Sequence, residues 1–395
     1  MKNDRKHIAV VEIYSHHVFV HTLAASLLAS GHNVTVYVCI RIFKDLEPMF
    51  LVNQIKPKFV TSSSNESDYS FLKRVKPEID SKFDLLVINS IQGYRVGYFY
   101  LLEFAVPTIA AAGRISEFFG SRYKVFGFST TRQMIHHNYT KYLLPRIIKR
   151  LSGLIVHTQK AKELALSSGY DGPIHHMPFS LHVPICKDIE LPKNKVNFLI
   201  TGSITSRSRD YFAILELFEK IWDSGVKTAV LTVLSSPRTD YGFKVYNEMQ
   251  RLEGKGYPIR YFAGWIPEEE FVSQSAKADF LIAPILKEYY GAGEITSVEV
   301  ESVRMGIPAF YPEWYYVDHD RLDSSILYSS FTHLHKLIME FVSDTSRVES
   351  IRLRALKNVE NLSVEPVSKK LSEFLNQQIF SNLSGSACVM KNVDE

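Results

Sequence analysis

Residues 7–40, HIAVVEIYSHHVFVHTLAASLLASGHNVTVYVCI, decide the fold class of this chain. Ile8–Ile13 is an apolar run, which is typical of a parallel β-strand covered on both faces. Apolar residues then recur at helical spacing in Val18–Ser30, and Gly31, a residue that commonly terminates helices, follows directly. Val34–Ile40 is the next strand-like run. The stretch therefore predicts a βαβ unit, the building block of a doubly wound parallel sheet.

The alternation of strands and helices continues through the chain in two series. The first series has further strand-like runs at Leu85–Asn89, Thr108–Ala112 and Leu154–His157, with helical patterns between them, notably around 130–151. The second has strand-like runs at Val196–Thr201, Thr228–Leu234, Ile259–Phe262, Phe280–Ala283 and Pro308–Tyr311. Its helical patterns are Tyr211–Asp223, Tyr241–Glu253, Glu268–Ala276 and Thr296–Met305.

A segment rich in Pro and His, Gly172–Pro184, separates the two series and is the predicted hinge. A chain of 395 residues also exceeds what one hydrophobic core usually serves. We therefore predict two doubly wound, Rossmann-like parallel-sheet domains facing a central cleft, over residues 1–180 and 185–350. Residues 351–380 are predicted to be mostly helical, and the polar tail 381–395 is predicted to be mobile.

Charge is distributed unevenly along the chain. Residues 1–180 carry 22 Lys and Arg against 13 Asp and Glu, whereas the remainder carries 24 against 29. The basic excess concentrates between Arg114 and Arg150, with Glu117 as its one acid, which indicates either a solvated surface or a face that attracts phosphates or anionic lipid headgroups. No zinc-finger spacing, recognition helix or basic-aromatic RNA motif accompanies it, so we predict no nucleic-acid partner.

Cysteine usage and hydropathy bear on the compartment. The three cysteines, Cys39, Cys186 and Cys388, are far apart and odd in number, which predicts neither a disulfide framework nor a metal cluster and fits the reducing cytoplasm. No apolar run approaches the roughly 20 residues that a membrane-spanning helix needs. We expect a cytoplasmic protein whose contact with a membrane would be peripheral.

The loop TGSITSRSRD, residues 201–210, predicts a diphosphate site. Gly202 allows close approach of the backbone, Ser203 is one of several small hydroxyl donors, and Arg207 and Arg209 can reach an anion held at the N-terminus of the following helix. The loop lacks the spacing of a P-loop or of a dinucleotide-binding fingerprint. The alternative is a polar turn with two solvated arginines.

A second loop, YYGAGEITSVEVESVRMGIPAF (289–310), leads from glycines into a helix. Gly291 and Gly293 make the loop flexible and present backbone amides to an anion. Glu294 and Glu301 are seven residues apart, so they lie roughly on one helix face, where a carboxylate accepts hydrogen bonds from sugar hydroxyls. The alternative is an amphipathic helix with solvated glutamates, an interpretation that suits Glu299 better than Glu301.

Two further loops are candidates for binding or catalysis. In YFAGWIPEEEF (261–271), the backbone at Gly264 and Trp265 could bracket a planar base, or the loop is an ordinary strand-to-helix connection. In YSHHVF (14–19), His16 or His17 could act as a general base or hold a transferring group, because imidazole titrates near neutral pH. The alternative for the pair is a structural helix start, and no metal is predicted because no other His or Cys lies nearby at ligand spacing.

Taken in order, these segments resemble glycosyltransferase family 4 and its GT-B relatives over roughly residues 7–378. LAASLLASGHNVTVYV, RLSGLIVHTQKAKELALSSGY and IHHMPFSLHVP are similar to the opening, the end and the hinge of the family's first domain. VNFLITGSITSRSRDYFAILELFEKI, FAGWIPEEEF and ESVRMGIPAF resemble its donor domain. The resemblance implies that the terminal helices, 351–380, cross back onto the first domain.

The resemblance also implies roles for individual residues. Gly202 and Arg209 match the family's diphosphate-binding positions, while Ser203 stands where the family has an arginine, with Arg207 as a substitute. Glu301 matches the glutamate that binds the donor ribose. The family's earlier glutamate falls on Gly293, and Glu294 is one residue away. The catalytic-region histidine of the family's first domain has no counterpart, because Arg114 and Glu117 occupy that neighbourhood.

These observations predict a metal-independent glycosyltransferase that uses no cofactor other than its substrate. The C-terminal domain would bind a nucleoside-diphosphate sugar, and the N-terminal domain a hydroxyl acceptor such as a glycan, a lipid-linked saccharide or a protein. The resemblance implies retention of anomeric configuration. Two alternatives stay open: a sugar-nucleotide epimerase of the same architecture, and a non-catalytic nucleotide-sugar-binding protein.

Overall fold

The computed structural model describes residues 5–14, 16–52, 55–91, 95–113, 115–119, 142–182, 195–290 and 293–382. The chain divides into two compact units, one formed by residues 1–179 and 364–395 and the other by residues 180–363. Each unit is built around one sheet whose described strands are all parallel.

The first unit contains a seven-stranded sheet in the order β3-β2-β1-β4-β5-β6-β7. Its strands are β1 (His7–Glu12), β2 (Asn33–Val38), β3 (Lys58–Thr61), β4 (Leu85–Ile88), β5 (Thr108–Ala111), β6 (Gly153–Val156) and β7 (Ile174–His176). The helices are α1 (His17–Ala29), α2 (Ile40–Val52), α3 (Asp68–Lys82), α4 (Val96–Leu102), α5 (Ile115–Phe119), α6, described over 142–148, and α7 (Gln159–Ser167).

The C-terminal end of the chain belongs to the first unit. Helix α15 (Val364–Phe374) packs against α1, and a π-helical turn, Leu375–Phe380, follows it. A hydrogen bond of 2.9 Å from Ser30 Oγ to the Ser368 carbonyl ties the two helices together. Strands β1 and β4 are internal strands of this sheet and are almost entirely buried, as their apolar sequences predict.

The second unit contains a six-stranded sheet in the order β10-β9-β8-β11-β12-β13. Its strands are β8 (Val196–Thr201), β9 (Ala229–Leu234), β10 (Ile259–Tyr261), β11 (Phe280–Ile282), β12 (Ala309–Pro312) and β13 (Ser325–Tyr328). The helices are α8 (Tyr211–Asp223), α9 (Asp240–Gly254), α10 (Glu268–Ala276), α11 (Lys287–Tyr290), α12 (Ser297–Met305), α13 (Phe331–Ser343) and α14 (Thr345–Val359), with 3₁₀ turns at His319–Ser324 and Glu360–Leu362.

Aromatic side chains from neighbouring strands fix the core of the second sheet. Phe280 lies at the centre, with its ring 5.6 Å from that of Phe198, 5.2 Å from Phe310 and 4.7 Å from Phe341 of α13. All four side chains are buried. Large rings supply much apolar area and pack in tilted or stacked pairs, so this cluster holds β8, β11 and β12 in place. The carboxyl ends of these three strands carry the loops described next.

Candidate functional site

The candidate site lies at the carboxyl edge of the second sheet, where parallel α/β sheets commonly bind ligands. The loop after β8 carries Gly202 and Arg209, and the segment between β11 and α12 carries Gly293 and Glu294. The isolated antiparallel bridge between Arg209 and Ile285 joins the two loops. Residues that are far apart in sequence therefore form one surface.

Gly202 and Arg209 occupy adjoining space. Gly202 has φ of +95°, and a Cβ added there would lie 2.6 Å from Arg209 Nη2 and closer still to Ser297 Oγ. Arg209 Nη2 donates a hydrogen bond of 2.8 Å to Ser297 Oγ at the start of α12, and Nη1 donates one of 3.4 Å to the Ser203 carbonyl. Glycine is thus required at 202 both for its backbone angle and for the space that the guanidinium fills.

The charge of Arg209 has no carboxylate partner within the part of the chain that the structure describes. Its side chain is 4% exposed, and Nε has no hydrogen-bond partner among the described residues. The ring of Tyr290 lies 5.9 Å from the guanidinium carbon. Because a buried, unpaired cation is costly, the arrangement favours an anionic ligand at this position.

Arg207 and Ser203 differ from Arg209 in exposure. Both side chains are exposed, and the Arg207 guanidinium lies over the ring of Tyr289 at 5.4 Å from its centroid. The interpretation of this loop as a turn with two solvated arginines therefore fits Arg207 alone. Arg209 is the buried one.

Helix α12 begins and ends with residues suited to capping. Thr296 Oγ1 accepts a hydrogen bond of 3.1 Å from the Glu299 amide, and Gly306, with φ of +61°, terminates the helix. Ser297 and Glu301 are four residues apart and lie on one face, so Glu301 is one turn beyond the serine that Arg209 contacts.

Glu301 is a buried carboxylate with unused hydrogen-bonding capacity. It is 7% exposed, and its Oε2 has no hydrogen-bond partner among the described residues. Arg304 Nη1 lies 3.7 Å from that oxygen, and Arg304 also pairs with Glu268 of α10. Burial raises the pKa of Glu301 to about 7, against the opposing effect of Arg304. A carboxylate of this kind can accept hydrogen bonds from hydroxyl groups of a ligand.

Glu299, in contrast, is engaged within the protein. The expectation of a solvated side chain at this position is wrong, because Glu299 is 2% exposed. It forms an ion pair of 2.5 Å with Arg321 and accepts a hydrogen bond from the Tyr315 hydroxyl. The partners lie ten and sixteen residues beyond the end of α12, so helix periodicity alone does not reveal them.

The remaining candidates of the second unit differ in accessibility. Gly293, with φ of +85°, and Glu294 are buried, and the Glu294 carbonyl accepts a hydrogen bond of 3.2 Å from Tyr315. Gly291 lies outside the described residues. Gly264 is exposed, and Trp265 is 65% exposed with the Arg238 guanidinium 5.7 Å from its ring. Trp265 is therefore largely exposed, and the guanidinium of Arg238 lies over its ring.

In the first unit, His16 and His17 lie at the carboxyl edge of the sheet. His16 precedes α1, with its ring 5.9 Å from Tyr14 and 5.8 Å from Phe179, and His17 is the first residue of the helix. The backbone carbonyl of His16 accepts a hydrogen bond of 3.3 Å from Asn89 Nδ2. The two histidines therefore flank the point where the chain enters α1.

A polar cluster that was not predicted from the sequence lies at the same edge. Glu12, fully buried at the end of β1, accepts hydrogen bonds from Asn89, from Ser90 at 2.6 Å and from the Tyr14 amide. The sequence feature that predicts this cluster is a polar residue at the end of each of two apolar strands: Glu12 ends β1, and Asn89 directly follows β4. Since the carboxyl ends of neighbouring parallel strands meet, that feature was sufficient to pair Glu12 with Asn89.

Much of the basic segment between Arg114 and Arg150 lies outside the described residues. Its described part, α6 and the turn after it, exposes Arg146, Lys149 and Arg150. The described ranges contain no group of three or more potential metal-ligating residues. Nor does any helix within them have the length and apolarity needed to cross a membrane.

Comparison with known proteins gives matches in structure only. No family model matches the chain, and no curated protein matches its sequence. A glycosyltransferase from Rickettsia africae ESF-5 is 12% identical with a TM-score of 0.61, and the match covers 94% of this chain and 98% of that one. HepE from Anabaena, solved with UDP and glucose, is 12% identical with a TM-score of 0.64, covering 94% and 100%.

A UDP-GlcNAc 2-epimerase from Neisseria meningitidis, solved with UDP-GlcNAc, is also 12% identical, with a TM-score of 0.57 and coverage of 94% and 100%. At this identity the likeness shows the fold. The fold class predicted from the sequence, two Rossmann-like parallel-sheet domains of the GT-B type, is confirmed.

Proposed function

We propose that this protein is a glycosyltransferase that moves a sugar from a nucleoside-diphosphate sugar to a hydroxyl acceptor. The observation that carries the proposal is the proximity of two buried charged groups: Arg209, a guanidinium without a described carboxylate partner, contacts Ser297, and Glu301 lies one helical turn beyond that serine. Oε2 of Glu301 accepts no hydrogen bond from a described residue and has only the ion pair of 3.7 Å with Arg304. A nucleotide sugar offers complementary chemistry to both groups, because it combines an anionic diphosphate with ribose hydroxyls.

Each group in the site has a role in this proposal. Arg209, with Arg207 at the exposed side and the amides near Gly202 and Gly293, stabilises the negative charge that develops on the leaving diphosphate. Glu301 accepts hydrogen bonds from the ribose hydroxyls, and Glu294 contacts the transferred sugar. The backbone at Gly264 and the ring of Trp265 flank the nucleobase. Charge stabilisation by arginine and backbone amides requires no metal ion.

Three lines of comparison support this assignment. The structural matches include the glycosyltransferase from Rickettsia africae ESF-5 and, separately, HepE from Anabaena, which was solved with UDP and glucose. The resemblance to family 4, carried by Gly202, Arg209 and Glu301, supports the same donor class and a retaining outcome. Helix α12 contains Glu301 and ends at Gly306, as the resemblance of ESVRMGIPAF to the family's donor domain leads us to expect.

For the acceptor, we assign the first unit, with His16 or His17 as general base or as the group that orients the acceptor hydroxyl. The acceptor class is a glycan, a lipid-linked saccharide or a protein. The exposed basic residues Arg146, Lys149 and Arg150 fit an acceptor phosphate or an anionic lipid surface. We propose a cytoplasmic protein with peripheral contact to the membrane.

A sugar-nucleotide epimerase is the second candidate, because the UDP-GlcNAc 2-epimerase from Neisseria meningitidis shares the fold. A binding protein without catalysis is the third.

Product analysis separates the three functions. The protein is incubated with a panel of nucleotide sugars, with and without acceptor extracts, and nucleoside diphosphate, free sugar and isomerised donor are measured. We expect release of nucleoside diphosphate that depends on the acceptor and is absent in Arg209→Met. Isomerisation or hydrolysis that proceeds equally without acceptor would identify an epimerase. Binding of a donor without any turnover would identify a binding protein.

A further inference from the structure

The first turn of α12 contains a capping box with an added hydroxyl group. Thr296 and Glu299 have the Thr-x-x-Glu spacing of this motif, in which the threonine side chain bonds the glutamate amide and the glutamate carboxylate bonds the threonine amide. The first bond is present, at 3.1 Å. The second is replaced: the Thr296 amide donates to the hydroxyl of Tyr315 at 3.3 Å, and that hydroxyl donates to the Glu299 carboxylate.

The same hydroxyl also reaches the segment that precedes the helix. Tyr315 Oη lies 3.2 Å from the carbonyl of Glu294, so its one proton has two acceptors, the Glu299 carboxylate and this carbonyl. Tyr315 is 4% exposed and Thr296 is fully buried. Burial raises the pKa of Tyr315 well above its ordinary value, so the hydroxyl keeps its proton. It thus joins both ends of the segment 294–296.

The environment of Tyr315 fixes the position of its ring. The ring of Tyr311 stacks on it at a centroid distance of 5.1 Å. On the far side of the carboxylate, Arg321 forms ion pairs with Glu299 at 2.5 Å and with Asp318 at 3.2 Å. Glu299 is buried and the Arg321 side chain is only 11% exposed, so the pair is little screened by solvent. The hydroxyl is held at a defined point beside the loop.

We propose that Tyr315 is a positioning residue for recognition of the donor sugar. It fixes Glu294, the carboxylate assigned to the sugar, relative to α12, which carries the ribose-binding Glu301. Glu294 lies in a loop after Gly293, a residue with positive φ, so its position depends on contacts such as this one. The inference rests on the proposed function and adds a residue that has no contact with the substrate.

The test compares two tyrosine variants and two ligands. Tyr315→Phe removes the hydroxyl and keeps the ring. Tyr311→Phe makes the same change on the stacked neighbour, whose hydroxyl forms no hydrogen bond with the described residues 294–296. Calorimetric titration gives the Kd for a nucleotide sugar and for its nucleoside diphosphate without the sugar. We expect Tyr315→Phe to weaken binding of the nucleotide sugar roughly tenfold and to change that of the diphosphate less than about threefold.

The matched control, Tyr311→Phe, is expected to leave the ratio of the two Kd values as in the wild type. Hydrogen exchange measured by mass spectrometry provides an independent readout, because Tyr315→Phe should accelerate exchange in the peptide that contains residues 293–299. If Tyr315→Phe does not fold, Glu299→Gln, which removes the charged acceptor of the hydroxyl proton at constant volume, should shift the ratio in the same direction.

Three outcomes would overturn the inference. Equal weakening of both ligands would indicate general destabilisation, and unchanged binding of both would remove the role of Tyr315 while leaving the proposed function intact. If the wild-type protein binds neither ligand, the proposed function fails and this inference fails with it.

Discussion

At the scale of single residues, Arg209 carries most of the functional argument. The composition of the loop predicted an anion site, but it did not distinguish Arg209, which is buried, from Arg207, which is exposed. The difference arises from the backbone bridge between Arg209 and Ile285, 76 positions later, and from the serine that begins α12. Contacts of this kind depend on tertiary structure, so spacing within the loop cannot predict them.

The space that Arg209 fills gives a prediction for Gly202. Alanine at 202 places a Cβ 2.6 Å from Arg209 Nη2, in addition to the cost of a left-handed backbone angle. We expect Gly202→Ala to lower the free energy of unfolding by about 1–2 kcal/mol for the backbone and a further 1–3 kcal/mol for the clash. Chemical denaturation measures the change, and donor titration measures the accompanying loss of affinity.

Gly225 provides a matched control, because its φ of +92° is similar and a Cβ there would meet no atom within 4 Å. Gly225→Ala should therefore show the backbone cost alone, with normal binding of the donor. Equal effects of the two substitutions would contradict the crowding of Gly202 against the guanidinium.

At the scale of elements, α12 shows what periodicity can and cannot predict. The seven-residue spacing of Glu294 and Glu301 and the glycine that ends the helix were visible in the sequence. The burial of Glu299 was not, because its partners Tyr315 and Arg321 come from the segment after β12. A helix that lies between two strands in the sequence can be covered by other segments on several of its faces. Only the tertiary structure therefore determines which of its carboxylates remain available to a ligand.

The raised pKa of Glu301 predicts a pH dependence for donor binding. With a pKa of about 7 in the free protein, the carboxylate is mostly ionised at pH 8 and mostly protonated at pH 6. Ribose hydroxyls donate to the ionised form, so the Kd for a nucleotide sugar should rise roughly tenfold from pH 8 to pH 6. A nucleotide sugar suits this titration because its diphosphate, esterified at both ends, does not titrate in that range. We expect the Glu301→Gln variant to bind the nucleotide sugar more weakly, with a Kd that does not change between pH 6 and pH 8.

The free energy of unfolding should depend on pH in the opposite direction: donor binding strengthens as the pH rises, whereas the folded state becomes less stable. Because the folded-state pKa of Glu301 lies above its ordinary value of 4.5, the folded state is favoured at low pH and loses that contribution as the pH rises through about 7. Glutamine does not ionise, so Glu301→Gln does not lose stability as the pH rises. The ligand-free variant should therefore unfold at a higher temperature than the wild type at pH 8. A lower unfolding temperature at that pH would contradict the assignment of an unsatisfied carboxylate.

At the scale of the whole molecule, the sequence predicted the two sheets but missed some of their edges. The strands that were not predicted, β3, β7 and β13, all lie at the edge of a sheet. Each is three or four residues long and partly exposed, so none has the continuous apolar run that identifies a central strand. Strand β7 lies within the Pro- and His-rich segment interpreted as a hinge.

The central claim is that the carboxyl edge of the second sheet binds a nucleotide sugar through Arg209. Calorimetric titration of the wild type, Arg209→Met and Arg347→Met with the preferred nucleotide sugar tests it most directly. Arg347 is an exposed arginine of the same unit, paired with Glu340 at 3.1 Å, and so controls for loss of a charge. We expect a wild-type Kd in the micromolar range, about 30-fold weaker binding by Arg209→Met and unchanged binding by Arg347→Met. Wild-type affinity in a folded Arg209→Met variant would contradict the account.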